Sequence, residues 1–194
     1  KYLQTAPTFV TALNMTEPAG GLVDITVDAE GNLYVLRDAS FNETTHVWYD
    51  CIYKYDSNGT FIKSWFVVVD AYVGSMAVDE KNEYLYIAVG GRIYRSDLNG
   101  TLVENWATLG RNRIESMDVD EDGYLYASGM NWNWPFDAHV FKVHSNGTIV
   151  GGWGSFGPDP DQFNWIYGIA VDKKNGYVYV CDEADTHDFP GRLD

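Results

Sequence analysis

A chain of 194 residues with 15% aromatic and 21% charged residues has the composition of a packed globular fold rather than a disordered one. Its formal charge of −15 and its lack of any basic run exclude a nucleic-acid partner, which needs a cationic stripe to displace counterions. No apolar stretch reaches the ~18 residues that cross a bilayer, so no transmembrane segment is expected.

In chain order, the first feature is Thr8-Phe9-Val10-Thr11-Ala12-Leu13, an alternating run that reads as a possible closing strand within 1–13. Four similar segments follow: DITVDAEGNLYVL (24–36), SMAVDEKNEYLYIA (75–88), SMDVDEDGYLYAS (116–128) and GIAVDKKNGYVYVC (168–181). Their central valines, Val27, Val78, Val119 and Val171, are spaced 51, 41 and 52 residues apart. A period in the forties built only from short strands predicts a β-propeller. In each unit a strand ending Val-Asp meets a short turn, then an alternating strand, then a variable loop. In the first three units a hairpin holding Asn-Gly-Thr closes the blade, its last strand ending at Trp65, Trp106 or Trp153. The expected fold is all-β: about four blades of four antiparallel strands in one domain, with units near 22–66, 73–107, 114–154 and 165–194 and almost no helix. Asn-Gly predicts a type I′ turn, in which both residues take positive φ.

The fourth unit with its preceding linker, GGWGSFGPDPDQFNWIYGIAVDKKNGYVYVCDE (151–183), resembles an NHL-repeat β-propeller. The similarity rests on Trp-Gly-x-x-Gly, Gln-Phe-Asn, Gly-Ile-Ala-Val-Asp and Gly-x-Val-Tyr-Val, and extends more loosely over the first three units. Tyr167 stands where that family usually has Pro, and 181–193 replaces its usual loop and Arg-Ile strand. The resemblance implies a ring of commonly six blades, of which this chain would be a segment. It also admits a metal-dependent lyase or hydrolase, because some members place histidines of several blades around the axial channel.

Strand order puts the first-to-second and third-to-fourth turns on one face of the disc. The second-to-third loops and inter-blade links lie on the other, and repeat folds tend to keep function where insertions cluster. Those variable loops are 38–50, 129–138 and 182–190, whereas blade two has only Val89-Gly90-Gly91. Trp132, Trp134 and Phe136 crowd the loop of blade three, and Trp48 lies in that of blade one. Either these rings fold back over a blade edge, or they form an exposed aromatic platform for a sugar or a protein.

His46, His139 and His187 fall in the same class of loop and would make an open zinc site if they converged. The spacing of His139 differs from that of the other two, which favours separate histidines. Asp118, Asp120 and Asp122 have the opening spacing of a calcium loop, but position twelve is Gly129 rather than an acid. Asp120 also matches Asp28, Asp79 and Asp172, where a carboxylate would cap the turn. Cys51 and Cys181 make neither a disulfide scaffold nor a zinc ribbon, and the sequence leaves open whether they pair.

Asn-x-Thr occurs at Asn14, Asn42, Asn58, Asn99 and Asn146. Three of these come with the repeated hairpin, but Asn14 and Asn42 lie outside it. N-linked glycans at several sites, and hence a secreted or cell-surface protein, are expected. The function expected is a binding or structural module for a protein or glycan partner, or a self-assembling subunit of a surface layer or filament.

Overall fold

The computed structural model describes residues 21–42, 47–68, 71–111, 113–131, 137–183 and 192–193. Among them lie fifteen strands and no helix. Blade one is a meander of β1 (Leu22–Val27), β2 (Leu33–Asn42), β3 (Val47–Tyr55) and β4 (Phe61–Val68). Blade two holds β5 (Val73–Asp79), β6 (Tyr84–Val89), β7 (Arg92–Asp97) and β8 (Leu102–Thr108). Blade three holds β9 (Met117–Val119), β10 (Leu125–Asn131), β11 (Asp137–Val143) and β12 (Ile149–Trp153). Blade four has β13 (Ile166–Asp172), β14 (Tyr177–Asp182) and β15 (Arg192–Leu193). All pairings are antiparallel, and the first strands of successive blades are neighbours: β1 with β5, β5 with β9, β9 with β13. This is a β-propeller of about four blades.

Each blade turns on an aspartate. Asp28 Oδ1 accepts the amides of Glu30 and Asn32, and Tyr34 Oη donates to its other oxygen at 3.1 Å. Tyr86 repeats this on Asp79 at 3.0 Å and Tyr126 on Asp120 at 3.1 Å. In blade four Asn175 Nδ2 donates to Asp172 Oδ2 at 2.7 Å. The outer hairpins use the same device, with Asp56 accepting from Asn58 and Thr60, and Asp97 from Asn99 and Thr101. These are not type I′ turns. Only the glycine takes positive φ, at 82°, 87° and 87° for Gly59, Gly100 and Gly147, and the glycine amide donates back to the carbonyl three residues earlier. The aspartate, or His144 in blade three, holds the asparagine in ordinary turn geometry and leaves one left-handed residue to close the bulge.

Three apolar seams hold the blades together. Tyr34, Met76 and Val78 are buried in the first, Tyr86, Met117 and Val119 in the second, Tyr126 and Ile169 in the third. A tryptophan from the end of each outer hairpin backs the tyrosine: Trp65 on Tyr34, Trp106 on Tyr86, Trp153 on Tyr126, with centroids 6.4, 4.4 and 6.2 Å apart. The glycine of the next blade's outer turn lies against that tryptophan. A Cβ at Gly100 would stand 2.8 Å from the Trp65 ring, and one at Gly147 would stand 2.2 Å from the Trp106 carbonyl oxygen. Asn-Gly-Thr therefore serves the seam as well as the turn.

The seams are also stitched by polar side chains at one repeat position, four residues before the turn aspartate. Asp24 accepts the amide of Met76 at 2.6 Å, Ser75 that of Met117 at 3.2 Å, and Ser116 that of Ile169 at 3.0 Å. Blade four has Gly168 there, which offers no side-chain acceptor.

The tight β6–β7 turn of blade two follows from its neighbour. Leu109 and Ile114 donate to the carbonyls of Gly91 and Gly90 at 3.1 and 2.9 Å, so the link into blade three lies directly on that turn. A Cβ at Gly91 would overlap the Arg111 carbonyl.

Candidate functional site

On the turn face, the residue after each turn aspartate, Ala29, Glu80, Glu121 and Lys173, lines one cavity of about 430 Å³. These four positions come from four blades, so the cavity marks the axis. Lys173 reaches Glu80 of blade two at 3.5 Å, and Lys81 reaches Asp122 of blade three at 3.5 Å. Exposed pairs of this kind contribute little stability, about 0–1 kcal/mol each.

The opposite rim is aromatic. The segments before the first strands of blades two, three and four, with the start of β13, bring together Tyr72, Arg113, Glu115, Trp165 and Tyr167. The Arg113 guanidinium lies 3.8 Å from the centroid of the exposed Tyr72 ring and pairs with Glu115 at 2.5 Å. Burial pushes the Glu115 carboxyl up, with Arg113 opposing. Tyr167 donates to Glu183 at 2.8 Å, a bond that raises its phenol, and Trp165 lies 6.1 Å from it. The buried Asp182 carboxylate fixes the approach by accepting the amides of Asn164 and Trp165 at 2.9 and 2.8 Å. Arg113 also exchanges two backbone bonds with Met130. The β10–β11 stem, where Asn131 pairs with Asp137, therefore opens beside this rim. A cation stacked on one exposed tyrosine, next to a tyrosine–carboxylate pair, can stack planar groups and hydrogen-bond polar ones.

The linker at 154–164 shows why its motif residues are needed. Gly154 has φ 99°, and a Cβ there would stand 2.5 Å from the ring of the buried Phe163. Gly157 makes room in the same way for the Gln162 side-chain oxygen, which accepts the Asp159 amide at 3.1 Å.

Trp132, Trp134, Phe136, His46, His187, Asn14 and the possible closing strand lie outside the described residues. The loops are shorter than expected because the strands run further. β2 continues to Asn42, which pairs with Val47, and the Trp48 backbone pairs with Phe41, so Trp48 stands on strand β3 and not in a loop. His139 likewise lies within β11, opposite Gly129. Its Nδ1 meets the Gly154 carbonyl at 2.7 Å, which turns the ring to the outer edge of blade three.

Asp118, Asp120 and Asp122 point to different partners: Asp118 to the Val171 amide at 2.7 Å, Asp120 to its turn and Lys142, and Asp122 to Lys81. Among the described residues no three His, Cys, Asp or Glu side chains form a group suited to a metal ion. Both cysteines are free, Cys51 buried and Cys181 exposed. Asn58, Asn99 and Asn146 are exposed at the three outer turns on one face. Among the described residues no helix is long and apolar enough to cross a membrane.

No family model matches the chain. No curated protein matches it. Among solved structures it is similar to a chain in the crystal structure of a nidogen/laminin complex, at 17% identity and a TM-score of 0.63, over 85% of this chain and 58% of that one. It is also similar to a protein of unknown function from Bacteroides caccae, at 13% identity and a TM-score of 0.50, over 76% of this chain and 49% of that one. The chain thus spans about half the length of these neighbours. At such identities the likeness is one of fold, the β-propeller.

Proposed function

We propose that this chain is a secreted or cell-surface, N-glycosylated β-propeller that works by recognition, its link-side rim engaging a protein or glycan partner. The observation that carries this reading is the arrangement of exposed Tyr72 and Tyr167 about Arg113 and Glu115, beside the stem that leads to Trp132, Trp134 and Phe136. Exposed tyrosines around an arginine have the composition of binding hot spots, which are enriched in Trp, Tyr and Arg. Three N-glycosylation acceptors on the opposite face would keep the rim clear and require export of the chain.

The test uses protein purified from its native source. Partners trapped on the intact surface by lysine- and carboxylate-directed cross-linking should map to the rim. A glycan array probes the alternative class of partner. The double substitution Y72A/Y167A should lower capture at least tenfold with the melting temperature unchanged. Capture that survives it moves the function off this rim. Stoichiometric zinc or calcium in the native protein, lost on H139A or D118N/D122N, would favour the metal-dependent reading instead.

A further inference from the structure

The Asn-Gly pair that shapes the outer turns is also a reactive pair. Once its amide proton is lost to a solvent base, the glycine nitrogen can attack the asparagine Cγ. A C–N bond forms, the Cγ–Nδ2 bond breaks, and ammonia leaves with a proton from water. A second water then opens the cyclic imide at either carbonyl, giving aspartate or isoaspartate, so the net exchange is water for ammonia. Glycine allows the attack because no Cβ restricts its backbone. Asn-Gly occurs at Asn58, Asn99, Asn146 and Asn175, and the outer turns of Asn99 and Asn146 each rest on the preceding blade of this chain.

Both of these asparagines are exposed, so water and base reach them. The backbone is what cannot move. Gly100 N donates to the Asp97 carbonyl at 3.1 Å and Gly147 N to the His144 carbonyl at 2.8 Å, so each attacking nitrogen is already engaged. Lys63 of blade one donates to the Asn99 carbonyl at 2.6 Å and pins the peptide that would have to rotate. Gly100 meanwhile lies on the Trp65 ring. In the next seam Trp106 Nε1 and Arg95 Nη1 of blade two donate to the Ser145 carbonyl at 3.2 and 3.3 Å, and Gly147 lies against the Trp106 carbonyl. The Asn146 side chain is itself held, its Oδ1 accepting the Thr148 amide at 3.0 Å.

We propose that Asn99 and Asn146 are latent deamidation sites, protected by the blade seam and exposed to reaction when the outer hairpin lifts from the preceding blade. Such local openings precede global unfolding. Reaction at Asn99 is one-way. It sets a new carboxylate beside Asp97, which already accepts the amides of Asn99 and Thr101. Isoaspartate also lengthens the main chain, so Gly100 does not return to Trp65. Either product erases the Asn-x-Thr acceptor. The inference goes beyond the recognition reading, uses none of the rim residues and is tested without glycan, so either can fail alone.

The whole polypeptide, made in a host that adds no N-glycan, is incubated in mildly alkaline buffer with and without concentrated guanidinium chloride. Peptide mass spectrometry follows the exchange of ammonia for water at each asparagine, and electron-transfer fragmentation identifies isoaspartate. Both sites should react at least tenfold more slowly in the folded protein than in denaturant. K63M should speed reaction at Asn99 at least threefold and leave Asn146 unchanged. W106F, which keeps an aromatic ring but removes the N–H donor, should do the reverse, and circular dichroism should be unchanged in both. Equal rates with and without denaturant, or no reaction even in denaturant, overturn the proposal. So do variants that leave both rates unchanged, or that speed both sites together, since global unfolding rather than seam opening would then control the chemistry.

Discussion

Asp24 in the first strand of blade one accepts the amide proton of Met76 in blade two at 2.6 Å. This bond crosses from one sheet to the next through a side chain, where no backbone ladder runs. The apolar seam behind it is non-directional. The side-chain stitch fixes how far one inner strand can slide along its neighbour.

Ser75 is the strongest place to test the stitch, because its hydroxyl donates to Asp24 at 2.9 Å and accepts from Met117 at 3.2 Å. S75A leaves a buried amide without that partner and should cost about 1–3 kcal/mol. Urea denaturation should show a lower midpoint with an unchanged slope. A loss below about 0.5 kcal/mol, within the range of ordinary surface substitutions, would mean that apolar packing alone sets the blade register.

Two glycines separate strain from contact. Gly176, at φ 73°, has nothing within 4 Å of an added Cβ, whereas Gly147, at φ 87°, would bring Cβ to 2.2 Å from the Trp106 carbonyl oxygen. G176A should cost only the left-handed penalty, about 1–2 kcal/mol. G147A should cost clearly more and red-shift tryptophan emission as Trp106 is displaced. Equal costs would show that the outer turn can pull away from the seam freely.

The turn carboxylates set the acid limit of stability. Amide bonds from Thr60 and Thr101 hold Asp56 and Asp97 below the ordinary carboxylate range, and the Asn175 side chain does the same for Asp172. Burial pushes Asp28 up, but bonds from Asn32 and Tyr34 bring it below as well. A depressed folded-state value gives stability that is present above the unfolded value, about 3.9, and lost as pH falls through the folded value. The denaturant midpoint should therefore hold from pH 7 to about 4 and drop below it. D56A/D97A/D172A should flatten that drop while lowering the neutral-pH midpoint. An unchanged acid limb would assign it to other groups.

The outer turns at Asn58 and Asn99 should tolerate loss of their asparagines, since neither uses positive φ, whereas the Asn146 side chain also accepts the Thr148 amide at 3.0 Å. N58Q, N99Q and N146Q should each remove one glycan mass from the native protein, the first two with little change in melting. Peptide mass spectra without glycan at any of the three would remove the main support for export.

The repeat was readable because Val-Asp, the turn glycine and the terminal tryptophan each answer to a local need, and their period survives the varied loops. Asn-Gly by itself points to a type I′ turn, but the side chain two residues before the asparagine, Asp56, Asp97 or His144, bonds the asparagine amide and leaves only the glycine left-handed. The sequence pattern puts His139 and Trp48 in loops, whereas strand ends in β2, β3, β10 and β11 are set by cross-strand pairing, which leaves no mark in either strand alone. The rim of Tyr72, Arg113, Trp165 and Tyr167 has no signature of its own in the sequence, because its members meet only when blades stack. The one available signal was an aromatic residue shortly before the first strand of blades two and four.

The link lying on the Gly90-Gly91 turn has a consequence for anyone using this disc as a display scaffold. A peptide grafted between Val89 and Arg92 would have to lever Arg111 and Ile114 away and would split blades two and three. Grafts between Asn42 and Val47, or between Asn131 and Asp137, extend hairpins whose strands are already paired to their ends. Cargo for the link side belongs on blades one and three.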